Sequence, residues 1–220
     1  MEIIGHRGCA DQYPENTVHA VQRSSRYLDT IEVDVRRCGS GELVVFHDET
    51  VDRLTDATGR VTDLDWTELR ELEVMDSGET IPRLSTVLEA FPRGVRAQVE
   101  LKGRGLAEDV RDVVAGSDVE VAVSSFDIDA LAEVHDLGWD VRTGYLFESN
   151  PAGNLAAAVE LGCAVVHPYY DLCLKTDVVD DAHEAGLEVV AWKAARTAEE
   201  VAALRTVGVD GVTADRWDIG

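Results

Sequence analysis

Lysine is nearly missing from this chain: Lys102, Lys175 and Lys193 are the only three among 220 residues. Arginine brings the basic residues to 20, against 43 acidic ones, for a formal charge of −23. A surface of that sign repels nucleic acid and anionic membranes, so neither is an expected partner. No run of about 18 apolar residues occurs, and the N-terminus lacks a basic stretch followed by an apolar one. Stable membrane insertion is therefore not expected, and a soluble, cytoplasmic protein is. Cys9, Cys38, Cys163 and Cys173 have neither metal-site spacing nor the density of a disulfide scaffold. They are expected as free thiols, mostly buried as small hydrophobes. Linkers, low-complexity tracts and repeats are also missing, which predicts a single domain over residues 1–220. Hydrophobic residues still make up 45% of the chain, so the acidity does not signal disorder. An acidic, lysine-poor chain suits molar salt, where the Debye length falls to about 3 Å, and a halophilic protein is expected.

What the chain does have is gathered between Ile3 and Asp48. Three short apolar runs there end in ionisable residues: Ile3-Ile4 before Gly5-His6-Arg7-Gly8, Ile31-Glu32-Val33-Asp34-Val35, and Leu43-Val44-Val45-Phe46 before His47-Asp48. In the second run the period of two puts Glu32 and Asp34 on one face of a strand. Paired acids repel and raise each other's pKa unless a cation neutralises them, and hard divalent ions take carboxylate oxygens in this way. On its own, this pattern reads first as a solvated strand face. His6 and His47 shift the balance, because imidazole suits proton transfer near neutral pH.

Further along, strands and helices alternate. Strand-like runs at 95–101, 119–124, 141–146, 164–166, 187–192 and 209–212 are separated by helical stretches at 107–114, 128–132, 152–161, 179–186 and 198–207. A helix is also expected to open at Pro14-Glu15-Asn16. Gly39-Ser40-Gly41 turns the chain into 43–46, which is expected to hairpin back. With the strands at 3–4 and 30–37 the alternation gives eight parallel strands. That predicts a compact (β/α)8 TIM barrel, with a short excursion after the second strand and a truncated last helix. In such barrels catalytic groups lie at the C-terminal ends of strands. His6, Arg7, Glu32, Asp34, His47, Glu100, Lys102, Ser125, Trp192 and Lys193 all fall at or near such ends.

The order H-R-G, P-E-N-T at 14–17, I-E-x-D-V, V-x-H-D and V-E-L-K at 99–102 resembles the glycerophosphodiester phosphodiesterase family. The similarity continues through Ser124-Ser125-Phe126, Thr143-Gly144-Tyr145-Leu146 and 209–215. The resemblance implies metal-dependent hydrolysis of a small phosphodiester to glycerol phosphate and an alcohol. Glu32, Asp34 and Glu100 would hold one divalent cation, Mg2+ or Ca2+. Arg7 and Lys102 would clamp the phosphate, and His6 and His47 would divide the proton transfers. Glu15 would orient Arg7 or His6 or bind substrate, and equally reads as a first-turn acid favoured by the helix dipole. Trp192 would wall the alcohol or glycerol subsite, with core packing as the competing reading. Lys193-Ala194-Ala195 departs from the family's usual segment after this Trp, which affects the substrate end more than the phosphate end. Asp210 and Asp215 read as turn and cap residues. Two other functions fit the motifs less well. Phospholipase D-like cleavage of a larger lipid is disfavoured by the short excursion, which carries no apolar patch. Binding of phosphate esters without turnover would not require two histidines.

Overall fold

A computed structural model of the protein describes residues 1–192 and 197–219. Lys193, Ala194 and Ala195 lie outside the described residues.

Nine strands form one sheet: β1 (Glu2–Gly5), β2 (Thr30–Arg37), β3 (Leu43–Val45), β4 (Arg96–Leu101), β5 (Val121–Ser125), β6 (Arg142–Phe147), β7 (Val165–Pro168), β8 (Glu188–Ala191) and β9 (Gly211–Ala214). Their spatial order is β1-β9-β8-β7-β6-β5-β4-β2-β3, and β1 also pairs with β2. That last pairing closes eight parallel strands into a barrel, while β3 runs antiparallel on β2 as the expected hairpin. Between the strands stand α1 (Val18–Ser24), α2 (Trp66–Leu69), α3 (Leu84–Glu89), α4 (Ala107–Ala115), α5 (Ile128–Asp136), α6 (Pro151–Leu161), α7 (Tyr170–Lys175), α8 (Val178–Glu184) and α9 (Ala198–Thr206). No helix follows β9 among the described residues. No helix is long and apolar enough to cross a membrane among those residues.

The helices begin and end where side-chain chemistry allows. Thr197 caps α9 in a capping box with Glu200, satisfying backbone donors at its first turn. Gly162 ends α6 in the left-handed conformation that a residue without Cβ adopts freely. Three local expectations are corrected. The first helix does not open at Pro14-Glu15-Asn16: Asn16 is left-handed (φ 60°), and Thr17 is the N-cap, accepting from the Ala20 amide. Helix α3 lies where the sequence suggested only the tail of the excursion, because its Leu84, Val87 and Leu88 stripe is just over one turn long. The single helix expected after β7 is two, α7 and α8.

Most of the core lies between barrel and helices, where Ile31, Val33, Val99, Val123, Val166, Val189 and Val212 point outward from the strands and are buried. The excursion has a separate core of Phe46, Val51, Leu54, Val61, Leu69, Val74 and Ile81. The barrel's bore contains little apolar material: Ile4, Val165 and Val190 form a small plug within it. Inward positions of the other strands carry polar groups such as Glu32, Asp34, Gln98, Glu100, Ser124 and Thr213, with Leu146 of β6 an apolar exception.

Candidate active site

Register builds the acidic centre. β2 and β4 are parallel neighbours with Glu32 opposite Gln98 and Asp34 opposite Glu100, so alternate inward positions bring the three carboxylates together. Glu32, Asp34 and Glu100 are 1%, 0% and 6% exposed. Each offers an oxygen within 4.8 Å of the others. Glu32 Oε2 accepts from the Arg7 amide at 2.8 Å, and Asp34 Oδ2 accepts from Asn16 Nδ2 at 2.8 Å. Glu32 Oε1 and Asp34 Oδ1 are buried and have no hydrogen-bond partner among the described residues. Orphaned anionic oxygens in a dry site are costly unless a ligand completes them.

Two cations flank this centre. Lys102 Nζ donates to Glu100 Oε1 at 2.5 Å and lies 3.4 Å from Asp34 Oδ1. Arg7 NH1 donates to Glu15 Oε1 at 2.9 Å, and its Nε approaches Asp34 Oδ2 at 3.3 Å without completing a hydrogen bond. Arg7 is placed by a tight 3-10 turn in which its own φ is 50° and that of Cys9 is 71°. Burial, the mutual repulsion of the acids and the nearby cations act unevenly. Burial, Asp34 and Glu100 push the Glu32 carboxyl well above its usual range. Burial and Asp34 likewise raise Glu100. Asp34 would also be raised by burial, but Lys102, Arg7, His47 and His6 bring it down to about 2.

Two imidazoles stand at the rim, each held by a carboxylate. His6 Nδ1 is 2.6 Å from Asp215 Oδ1, and His47 Nδ1 is 2.6 Å from Asp48 Oδ1. An ionised carboxylate only accepts, so each Nδ1 carries the proton and each Nε2 is the nitrogen left for other chemistry. Burial lowers the pKa of His47 despite the opposing pull of Asp34. Arg36 Nε donates to the His47 carbonyl at 2.8 Å and fixes the backbone beneath it.

His6, Arg7, Glu15, Glu32, His47, Glu100, Lys102 and Trp192 line a single cleft of about 420 Å³, with Asp34 at its floor. All nine residues singled out from the sequence as site residues thus come together. Trp192 donates from Nε1 to the Phe147 carbonyl at 3.0 Å and meets Phe126 edge to face at 4.9 Å, forming an apolar wall. Ser125 is not part of the cleft chemistry, since its Oγ donates to the Leu101 carbonyl at 2.8 Å. Lys193, placed near a strand end by sequence, lies outside the described residues.

Four residues have roles that the sequence reading missed. Asp215 is not simply a turn and cap residue: its carboxylate holds His6 from 209 positions away. Asp48 was visible in V-x-H-D, but only as a neighbour of His47. Phe126 sits in the Ser-Ser-Phe motif without any cue to its place opposite Trp192. Arg53 left no signal, yet it bonds both Glu15 and Asp48.

Comparison with known proteins shows what the chain as a whole is similar to. Residues 6–219 match the model of the Glycerophosphoryl diester phosphodiesterase family. A glycerophosphodiester phosphodiesterase of Caldanaerobacter subterraneus subsp. tengcongensis is 29% identical, over 97% of this chain and 93% of its own length. Another, from Bacillus altitudinis, is 30% identical over 97% of this chain and 94% of its own. Among solved structures, an Oleispira antarctica phosphodiesterase in complex with the product sn-glycerol-3-phosphate superposes with a TM-score of 0.88. It is 27% identical, covering 98% of this chain and 93% of that one. The chain belongs to the glycerophosphoryl diester phosphodiesterase family.

Proposed function

We propose that this family member hydrolyses glycerophosphodiesters to glycerol phosphate and an alcohol, using a divalent cation and two histidines. The observation that carries the reading is the meeting, in one cleft, of three buried carboxylates with orphaned oxygens, two cationic side chains and two carboxylate-held imidazoles. All-oxygen donors at this spacing suit a hard cation such as Mg2+ or Ca2+, and Glu32, Asp34 and Glu100 would hold it. When bound, such an ion neutralises charge building on a non-bridging phosphate oxygen.

The chain's own groups supply the rest. Arg7 offers a planar fork that bonds two phosphate oxygens at once, and Lys102 offers a point charge beside it. Both are already ion-paired within the site, which preorganises them. Burial would lower the pKa of each, but Asp34 and other acids outweigh it and keep both charged. His47, held neutral by its burial, takes the proton from the attacking oxygen at Nε2. His6, in the form that carries a second proton on Nε2 while Nδ1–H stays on Asp215, delivers that Nε2 proton to the leaving alkoxide, which would otherwise depart at high energy. Trp192 and Phe126 form the wall against which the alcohol or glycerol carbons rest.

Release of glycerol phosphate from glycerophosphocholine in high salt, with Mg2+, with Ca2+ and with chelator, tests this reading. Metal-dependent release that disappears in Glu32→Ala is the expected result. No release with any metal, from protein shown to be folded, would leave a barrel that binds phosphate esters without turning them over.

A further inference from the structure

Arg53 lies in the excursion, outside every motif that marks the site, and its guanidinium grips two site carboxylates at once. Its Nε and NH2 donate to Asp48 Oδ2 and Oδ1 at 2.5 and 3.1 Å. NH1 and NH2 donate to Glu15 Oε2 and Oε1 at 2.9 and 2.8 Å. Each partner carries a second load. Asp48 Oδ1 is also the acceptor for His47 Nδ1, and Glu15 Oε1 is also the acceptor for Arg7 NH1. The result is an alternating chain of donors and acceptors: Arg7, Glu15, Arg53, Asp48, His47.

We infer that Arg53 is a positioning residue that joins the phosphate clamp to the His47 imidazole and holds both in working geometry. The inference rests on the reaction proposed above for its kinetic readout, but not for its structural one. Two features separate this contact from an ordinary surface ion pair. Both contacts are bidentate, so each carboxylate is fixed in orientation as well as position. The backbone on either side is anchored in the excursion's core by Val51 and Leu54, which are 0% and 5% exposed. With the Asp48 plane set by Arg53, Oδ1 faces His47 Nδ1, the proton stays on Nδ1, and Nε2 remains presented to the cleft. With Glu15 set the same way, Arg7 NH1 is held while Nε faces Asp34, which leaves NH2 to turn toward phosphate. The excursion thereby becomes part of the catalytic framework. A lysine at this position would keep the charge but could not span two carboxylates with a planar fork.

The test uses Arg53→Ala and Arg53→Lys in the full chain, each alone and combined with Asp48→Asn. The nitrogen chemical shifts of the His47 ring are measured alongside glycerophosphocholine kinetics. Arg53→Ala is expected to lower kcat/KM by about 10- to 100-fold, the range for residues that orient groups in direct contact with substrate. Arg53→Lys should fall between. In the Asp48→Asn background the further loss from Arg53→Ala should shrink, because the part transmitted through Asp48 is already gone and only the part transmitted through Glu15 to Arg7 remains. His47, protonated only at Nδ1 in the unsubstituted protein, should become a mixture of tautomers in Arg53→Ala. Equal losses in both backgrounds, or an unchanged His47 tautomer, would overturn the inference. If Arg53→Ala fails to fold, Arg53→Lys carries the same comparison. An unsubstituted protein that releases no glycerol phosphate counts against the proposed reaction, and the His47 tautomer then decides on Arg53 alone.

Discussion

The two ends of the barrel's bore handle charge in opposite ways. At the C-terminal end, three buried carboxylates crowd together and two of their oxygens are orphaned. At the N-terminal end, Glu2 and Glu188 are each paired with an arginine and remain wet. Glu2 Oε1 accepts from Thr30 Oγ1 at 2.5 Å and from Arg96 NH2 at 2.6 Å, and Arg142 NH2 lies 2.7 Å from Glu188 Oε2. Both ends are built from the same inward positions of the same strands: Glu2 and His6 on β1 and its following turn, and Arg96 and Glu100 on β4. Fold alone therefore does not dictate the clustering. Like charges taken out of water destabilise a protein unless something compensates them, and at the C-terminal end the cleft over the three carboxylates gives such a ligand a way in.

Breaking the C-terminal cluster should give the largest effect. Glu32→Gln removes one of the three carboxylates and should lower kcat/KM by about a thousandfold or more, or about 4 kcal/mol of transition-state stabilisation. The same change should stabilise the metal-free protein at pH 7 by about 1–3 kcal/mol in denaturant unfolding with chelator. The sign follows from linkage. The folded-state pKa of Glu32 is raised above its unfolded value, so holding the group ionised at neutral pH opposes folding, and a neutral amide lifts that penalty. A variant that is both inactive and less stable without metal would show that the cluster is ordinary structural polarity.

A second contrast concerns His167, which projects into the bore on β7 and lines a cavity of about 200 Å³ toward the N-terminal end. It is 3% exposed, and its Nδ1 has no hydrogen-bond partner among the described residues. Gly144 on the adjacent strand makes room for it, since a Cβ there would stand 2.4 Å from the imidazole Nε2. Burial and, secondarily, Arg142 depress its pKa to about 3. The C-terminal end buries charged groups, whereas this half buries a titratable group by keeping it neutral. A depressed folded-state pKa means the stability is complete above about pH 6.5 and is lost as pH falls toward 3. The native protein should therefore lose about 2–4 kcal/mol more than His167→Gln across that window, with the gap between their urea midpoints narrowing as pH falls. Parallel pH profiles would mean that His167 gains a charge partner on protonation.

Much of this architecture was legible because it is periodic. Ile31, Val33 and Val35 alternating with Glu32 and Asp34 gave both strand and face, and the alternation of strand-like and helical runs marked the connections. The nine site residues could be named because they sit in motifs that resemble the family's, and most of those motifs fall at strand ends, which in a closed parallel barrel converge on one mouth. What the sequence concealed is contact across distance. Nothing local links Asp215 to His6, because the link arises only when β9 returns beside β1. Asn16 reads as a helix opener, but its left-handed backbone aims its amide at Asp34, in contact with Asp34 through both Nδ2 and Oδ1. Arg53 resembles any other arginine in an acidic chain until the excursion folds over the cleft.

The smallest effect is expected from the matched charges at the N-terminal end, and it tests the comparison from the other side. Arg142 and Glu188 hold a close ion pair, but their side chains are 46% and 55% exposed, so water screens the attraction and two long side chains lose freedom to maintain it. A double-mutant cycle on Arg142→Ala and Glu188→Ala should give a coupling of about 0.2–1 kcal/mol, shrinking in high salt, with glycerophosphodiester turnover unchanged within about twofold. Each of these two groups is exposed and faces an opposite charge, so neither substitution should stabilise the protein as Glu32→Gln should. A coupling well above that range would place the pair in a drier environment than its exposure indicates. The cavity beneath it, which the pair borders together with His167, would then be shielded from bulk water by the pair itself. In that case the N-terminal end would also be spending stability on buried polarity, and the contrast between the two ends would narrow to the sign of their charges.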